Sequence, residues 1–398
     1  MEEPKPKVSI AKVENYEPQN LCSGLTKALD LLGGLENKIP PESRVFVKIN
    51  HLSPPSPPEK AIVTHPAFTK EVLNLLKPLD CDVTVGDDIQ YKGRDGFLTS
   101  GYRKICDEMG VKLINLKQAG YRQIKCNGKK LDTFYVSPLV LESDFIINLC
   151  KLKTHSFTIF TGAVKNMFGI IPYGLRIQYH KQFSLPSDFS EMLVDIYSCV
   201  PPNLNIMDGI VSMEGEGPSA GNPKKTNIIL ASSDGIALDA AASKIIGLNP
   251  LDIYTTQDAF QRGLGVGDLS KIKILGEKIS GVQARDFKHS SVAVGLIQRR
   301  IPRVLYAFIQ NQLANIPEIR STACTGCMEC VKICPTGAAQ KIHDTAGIEK
   351  AKCIHCMCCH EVCRFNAIKL KKRPLGWILQ KTNSIYKKTK RLFGSNRV

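Results

Sequence analysis

Nine of the chain's 15 cysteines fall between Cys324 and Cys363. Eight of them form two runs with one spacing: Cys324-x2-Cys327-x2-Cys330-x3-Cys334-Pro335, then Cys353-x2-Cys356-x2-Cys359-x3-Cys363. Three thiolates so spaced can wrap one iron–sulfur cubane, while the fourth lies too far along the chain to join them. Structural zinc would call instead for separated C-x2-C pairs. A second set of groups lies upstream. Lys151-Leu-Lys-Thr-His155 follows an apolar run ending at Cys150, and Thr161-Gly-Ala-Val-Lys-Asn166 comes soon after. Charge near the end of a buried strand is costly, so Lys151, Lys153, His155 and Lys165 imply an anionic partner. That partner is a small-molecule carboxylate or phosphate, or an internal acid such as Asp208. Lys48 closes another strand-like run, and His65 or His155 is the type of group that donates a proton.

The cysteine runs resemble a bacterial-type two-cluster [4Fe–4S] ferredoxin module, in which the fourth cysteine of each run ligates the other cluster. The resemblance implies Cys324, Cys327, Cys330 and Cys363 around one cluster, and Cys334, Cys353, Cys356 and Cys359 around the second. Arg364 stands where that pattern has proline, and Cys358 is a ninth thiol beside a ligand. So short a stretch, with few large apolar side chains, cannot fold on its core alone. The clusters must supply folding energy, and the module without them should be largely unfolded.

Other polar groups fall where strands end. Asn50 and His51 open a proline-rich loop, Asp87 and Asp88 end the run 82–86, and Asp208, Glu214 and Glu216 lie in a glycine-rich segment. The carboxyl edge of parallel strands is where α/β folds place ligands. Each of these residues is equally a turn or cap residue. Asp234 should cap a helix beginning at Gly235. Gly162 and Gly169 would allow close backbone approach.

These groups need a scaffold, and the sequence supplies one. Residues 44–50, 82–86, 111–116, 144–150, 205–211 and 227–231 read as strands, and 66–79 and 235–246 as helices. Residues 123–136, with Asn127-Gly128 between strand-like runs, read as an inserted hairpin. The expected fold is an α/β domain over residues 1–280, a mostly parallel sheet with helices on both faces. A connector at 281–320 contains a basic amphipathic stretch at 298–310. The small α+β ferredoxin-like two-cluster domain occupies 321–370, and a basic tail 371–398. Cys22, Cys81, Cys106, Cys126, Cys150 and Cys199 are expected as free buried or half-buried thiols.

The 398 residues carry 53 Lys and Arg against 37 Asp and Glu, a net charge of +16. Ten of those cations and no acid lie from Lys369 onward, leaving 43 against 37 in residues 1–368. The basic character is thus a tail effect, no nucleic-acid motif accompanies it, and nucleic acid is not expected as a partner. No apolar run approaches the roughly 18 residues of a spanning helix, and the N-terminus lacks the apolar core of a secretory signal. A cytoplasmic chain is expected. Trp377, Ile378, Leu379, Leu392 and Phe393 among the tail's cations suit peripheral contact with an anionic membrane, or docking to an acidic redox partner.

Val-Lys-Ile-Asn50, Thr64-His65-Pro66, Val85-Gly86-Asp87, Lys151 to His155, Thr161 to Asn166 and Met207-Asp-Gly-Ile210 together resemble the domain-of-unknown-function 362 family. That family often occurs fused to a two-cluster ferredoxin module, and the resemblance implies the architecture rather than the chemistry. The leading expectation is an iron–sulfur oxidoreductase passing electrons between an external carrier and an anionic substrate. Lys48, Lys151, Lys153 and Lys165 would then bind, with His155 or His65 as proton donor. The alternatives are an electron carrier or assembly factor whose large domain binds a protein partner, and a redox sensor. No G-x-G-x-x-G follows a strand, so a nucleotide site has no support.

Overall fold

The computed structural model describes residues 4–90, 95–291 and 315–373. It divides the chain into two units, Met1–Ser290 and Ser291–Val398. The amphipathic stretch at 298–310 and the tail from residue 374 lie outside the described residues.

The first unit is built on one sheet. Its strands are β1 (Lys7–Lys12), β2 (Arg44–Ile49), β3 (Asp82–Asp87), β4 (Lys112–Asn115), β7 (Phe145–His155), β8 (Ile159–Thr161), β9 (Leu204–Glu214), β10 (Asn222–Ser232) and β11 (Lys273–Gly276); β5 (Arg122–Lys125) and β6 (Thr133–Val136) form a separate hairpin. The order across the sheet is β11-β1-β10-β9-β7-β2-β3-β4, with β8 paired to β7. From β9 to β4 every neighbour is parallel, whereas β10 runs antiparallel to both β9 and β1. Strand β1 and the edge strand β11 were not legible in the sequence, being short and flanked by charge.

The parallel strands read as apolar runs because both faces are covered. On one face Val45, Val47, Ile49, Ile147, Leu149 and Ile206 pack with the helices Pro18–Asp30, Pro66–Leu76 and Tyr102–Met109. The helix Pro66–Leu76 starts on a proline at its first position, with His65 Nδ1 accepting from the Ala67 N–H. The alternate residues, Phe46, Lys48, Asn148 and Asn205, point to the other layer, which contains Ala163–Asn166, Pro186–Cys199 and Gly235–Ile245. Asp234 caps the last of these through the Ile236 and Ala237 N–H groups.

Two strands run further than their apolar runs. β7 continues through Lys151 to His155, all buried, where the sequence reading ended it at Cys150. β9 continues to Glu214, so the acidic segment expected as a loop is largely strand. Pairing partners on both sides satisfy the backbone there, which periodicity along one chain cannot reveal.

The expected hairpin is present, but its loop is longer than a two-residue turn. Its tip folds over the helix Pro186–Cys199: the N–H groups of Lys129, Lys130 and Leu131 donate to the Asp195 carboxylate at 2.9, 2.6 and 3.0 Å. Arg262 reaches the same carboxylate at 2.8 Å. Gly128 is needed for contact rather than turn geometry, since a Cβ there would lie 2.4 Å from Asp195 Cγ. Cys126 and Cys199 form a disulfide beside this contact, with Cα atoms 6.2 Å apart. This corrects the expectation of six free thiols, because residues 73 apart in sequence give no local sign of meeting. Cys22 is free but exposed, whereas Cys106 and Cys150 are buried.

The second unit repeats itself at an interval of 29 residues. β12 (Ile316–Ile319) corresponds to β14 (Thr345–Ile348), and β13 (Ala339–Ile342) to β15 (Ile368–Lys371). Pairing is exchanged between repeats, β12 with β15 and β13 with β14, all antiparallel. Left-handed backbone recurs at matching places: Gly326 and His355, Met328 and Met357, Gly337 and Asn366.

Candidate metal centre and the polar clusters of the sheet

Each half of the small unit presents its first two cysteines on a loop and the third within the short helix that follows, Glu329–Ile333 or Cys358–Val362. Burial pushes the Cys330 thiol up to about 11, and the next causes are Cys327, Cys363 and Cys324. For Cys353 burial again leads, and Cys356 and Cys334 add to it. Burial also raises Cys359, followed by Cys356, Cys353, Cys330 and Cys334. Cys363 is thus among the neighbours that act on Cys330, and Cys334 among those that act on Cys353 and Cys359.

Thiolates crowded in this way repel unless cations sit among them, and such crowding suits a ligand set. Cys334, Cys353, Cys356 and Cys359 also line one cavity. The Ala339 N–H donates to Cys334 Sγ and the Ala367 N–H to Cys363 Sγ, both at 3.3 Å, the bonds that stabilise thiolate charge. Among the described residues no three His, Cys, Asp or Glu groups close around a single metal ion. A cubane holds its thiolates at separate corners, so its ligands stand wider than those of one ion. The residues fit a [4Fe–4S] group.

In the large unit the predicted cations do not converge. Lys48 pairs with Asp87 at 2.8 Å, both side chains 1% exposed. Burial lowers the Lys48 ammonium and raises the Asp87 carboxyl, and their mutual attraction opposes both shifts. The same carboxylate accepts from the His51 and Asp88 N–H groups. Asp88 is held by Tyr121, the Tyr173 N–H and Arg176. A Cβ on Gly169 would lie 2.6 Å from Lys48 Nζ, so this glycine serves close approach to the ion pair.

Lys151 points to the opposite face. Its Nζ donates to Asp208 Oδ2 at 2.7 Å and to Tyr16 Oη at 3.0 Å, and Tyr16 donates to Asp208 Oδ1 at 2.8 Å. The His65 N–H donates to the same carboxylate at 3.0 Å, and its ring stacks on Tyr16 at 3.8 Å. The anion expected near Lys151 is thus the internal acid. Lys153 donates to the Ile62 carbonyl, which also accepts from Asn50. His155 Nδ1 accepts from the Phe157 and Thr158 N–H groups and shapes the turn into β8. Lys165 lies over the rings of Phe168 and Phe189 at 5.5 and 5.8 Å. Burial holds His65 at about 4, so it is neutral near pH 7 and no ready proton donor there.

Sequence reading missed Asn148, Asn205 and Tyr16. Asn166 donates to Asn148 at 2.6 Å and Asn148 to Asn205 at 2.8 Å, a chain tying the segment after β8 to the sheet. Asn148 and Asn205 lie in one register row with Lys48, and period-two counting along each strand would have put them on one face. Tyr16 stands in a segment with no motif, and nothing in the sequence signals it.

Residues 45–244 match the family model for a domain of unknown function (DUF362), and residues 316–339 that for a 4Fe-4S binding domain. A thylakoid-associated protein of Synechocystis sp. is 30% identical over 261 residues, 65% of this chain and 79% of that protein. Among solved structures, the lactate racemase apoprotein from Thermoanaerobacterium thermosaccharolyticum aligns at 11% identity and a TM-score of 0.40, over 61% of this chain and 57% of that one. A protein from Thermotoga maritima aligns at 14% and 0.36, over 56% and 57%. The chain spans less than two thirds of either solved chain. No helix among the described residues is long and apolar enough to cross a membrane.

Proposed function

The chain belongs to the DUF362 family and carries a 4Fe-4S binding domain, and from that premise we propose that it is an electron-transfer protein with two [4Fe–4S] clusters. The observation that supports this reading is the 29-residue repeat, in which Cys324, Cys327, Cys330 and Cys334 recur as Cys353, Cys356, Cys359 and Cys363. Cys324, Cys327, Cys330 and Cys363 would hold one cluster, and Cys334, Cys353, Cys356 and Cys359 the other. Such a group takes up and releases single electrons. The chain's own part is to exclude water, to hold the thiolates, and to donate the Ala339 and Ala367 N–H groups to them.

The burial of Lys48, Lys151 and Lys153 against internal acceptors favours a large unit that recognises a protein partner over one that binds an anionic substrate through those lysines. Anaerobic purification with iron and sulfide analysis, then EPR of the dithionite-reduced protein, tests the cluster reading. About eight irons per chain and the broadened signal of two interacting clusters are expected. Zinc in place of iron, or about four irons with an unbroadened signal, overturns it.

A second reading, peripheral contact of the basic tail with an anionic membrane, is favoured by the relative's thylakoid association. Co-sedimentation with anionic and neutral vesicles, with and without residues 374–398, tests it. Equal binding by both chains would remove the tail from the account.

A further inference from the structure

We propose that Arg320, Arg364 and Phe365 form a docking rim for an acidic one-electron carrier protein, and that electrons pass through the adjacent site of Cys324, Cys327, Cys330 and Cys363. This rests on the two-cluster reading above.

The 29-residue repeat makes the two halves comparable position by position, and they differ in exposure. Cys327 is exposed, while its counterpart Cys356 is 7% exposed. Residues 356–360 are all buried, whereas 327–331 are exposed or half-buried. Backbone turns match in the two halves, so the contrast comes from what packs on each limb rather than from chain geometry. Electron tunnelling falls steeply with distance, so exchange with an outside protein runs through the site nearer solvent.

Chemistry at the rim follows the same division. Arg320 precedes Cys324 and its counterpart is Glu349. Arg364 and Phe365 follow Cys363, and their counterparts are Pro335 and Thr336. Phe365 is 46% exposed, and both arginines are exposed. Arg320 is fixed against this segment: its Nη2 donates to the Asn366 carbonyl at 2.9 Å and its N–H to the Ala367 carbonyl. Neither arginine has an ion-pair partner among the described residues. Two acids of this unit are already paired. Glu318 pairs with Lys371 and Glu329 with Lys332.

An exposed aromatic flanked by two unpaired guanidinium groups suits a small, electrostatically steered interface, with the partner's carboxylates meeting the arginines. In each encounter the carrier's flavin or iron–sulfur centre loses one electron and this site gains it, or the reverse, with no bond made or broken.

The test uses the full chain with its clusters, an acidic [2Fe–2S] ferredoxin as probe and a basic cytochrome c as control, followed by anaerobic calorimetry. Ferredoxin binding should weaken between about 20 and about 200 mM salt. Arg320→Glu with Arg364→Glu should weaken it about tenfold or more, and Phe365→Ala severalfold. Lys350→Glu with Lys352→Glu, on the other half, should change it less than about twofold. Cytochrome c should not bind the wild-type chain. The EPR spectrum of each variant reports whether the clusters are intact. Wild-type affinity in the arginine variant with an unchanged spectrum overturns the docking rim, as does an equal loss from the lysine pair. Absence of any cluster signal in the wild-type chain overturns the reading beneath it instead.

Discussion

Lys151 on β7 and Asp208 on β9 stand opposite one another in register, and their charged ends meet at 2.7 Å with neither side chain more than 1% exposed. Removing one partner of such a pair leaves an uncompensated charge inside the sheet. Asp208→Ala should therefore cost about 3–5 kcal/mol of stability, whereas Tyr16→Phe, which deletes one neutral donor, should cost about 1 kcal/mol. Urea unfolding followed by circular dichroism measures both, and equal losses would contradict the assignment.

Gly169 and Gly174 lie close in sequence and in very different surroundings. A Cβ at Gly169 would come within 2.5 Å of Asp87 Oδ1, while one at Gly174 would meet nothing within 4 Å. Gly169→Ala should destabilise by about 1–3 kcal/mol. Gly174→Ala, in the helix Tyr173–Gln182, should be neutral or stabilise by up to about 1 kcal/mol. The same denaturation assay distinguishes them, and a neutral Gly169→Ala would mean the ion pair has room to move.

Burial holds His51 and His65 at about 4 and His180 at about 3, all below the ordinary 6.5. Above 6.5 the folded and unfolded chains both carry neutral imidazoles. As pH falls below 6.5 the unfolded chain takes up protons that the folded chain refuses, so stability should decline toward pH 4. His180 stacks on Phe189 at 4.3 Å, and His180→Phe should make the decline shallower. Urea midpoints at about pH 7.5 and about pH 5 measure this. An unchanged slope in the variant would show that His180 titrates normally.

Peptide mapping without reductant should recover one fragment joining Cys126 to Cys199, and alkylation of the unfolded, unreduced chain should label Cys22, Cys81, Cys106 and Cys150. Replacing both bonded cysteines with serine should remove about 2–4 kcal/mol. Labelling of all six upstream cysteines would refute the bond.

The alternation of strands and helices and the cysteine spacing were legible because both are written locally. Apolar runs such as 145–147 declare a strand covered on both faces, and two matching cysteine runs declare a repeated ligand set. What was not legible depended on partners far along the chain. Lys151 looked like one of a cluster because Lys153 and Lys165 are its neighbours in sequence. Its actual partners, Asp208 and Tyr16, lie 57 and 135 positions away. Strand parity separates Lys48 from Lys151, and no count of cations in a window reports parity. Arg364 stood out as a departure from proline, but only the fold showed Arg320 bonded to the segment just after it.

The hairpin tip illustrates redundancy. Three backbone N–H groups and Arg262 converge on Asp195 where Cys126 and Cys199 join. A reducing environment would break the sulfur bond and leave the carboxylate grip, so this segment should hold its position whichever state its thiols are in. The attachment of this segment therefore does not depend on the sulfur bond alone.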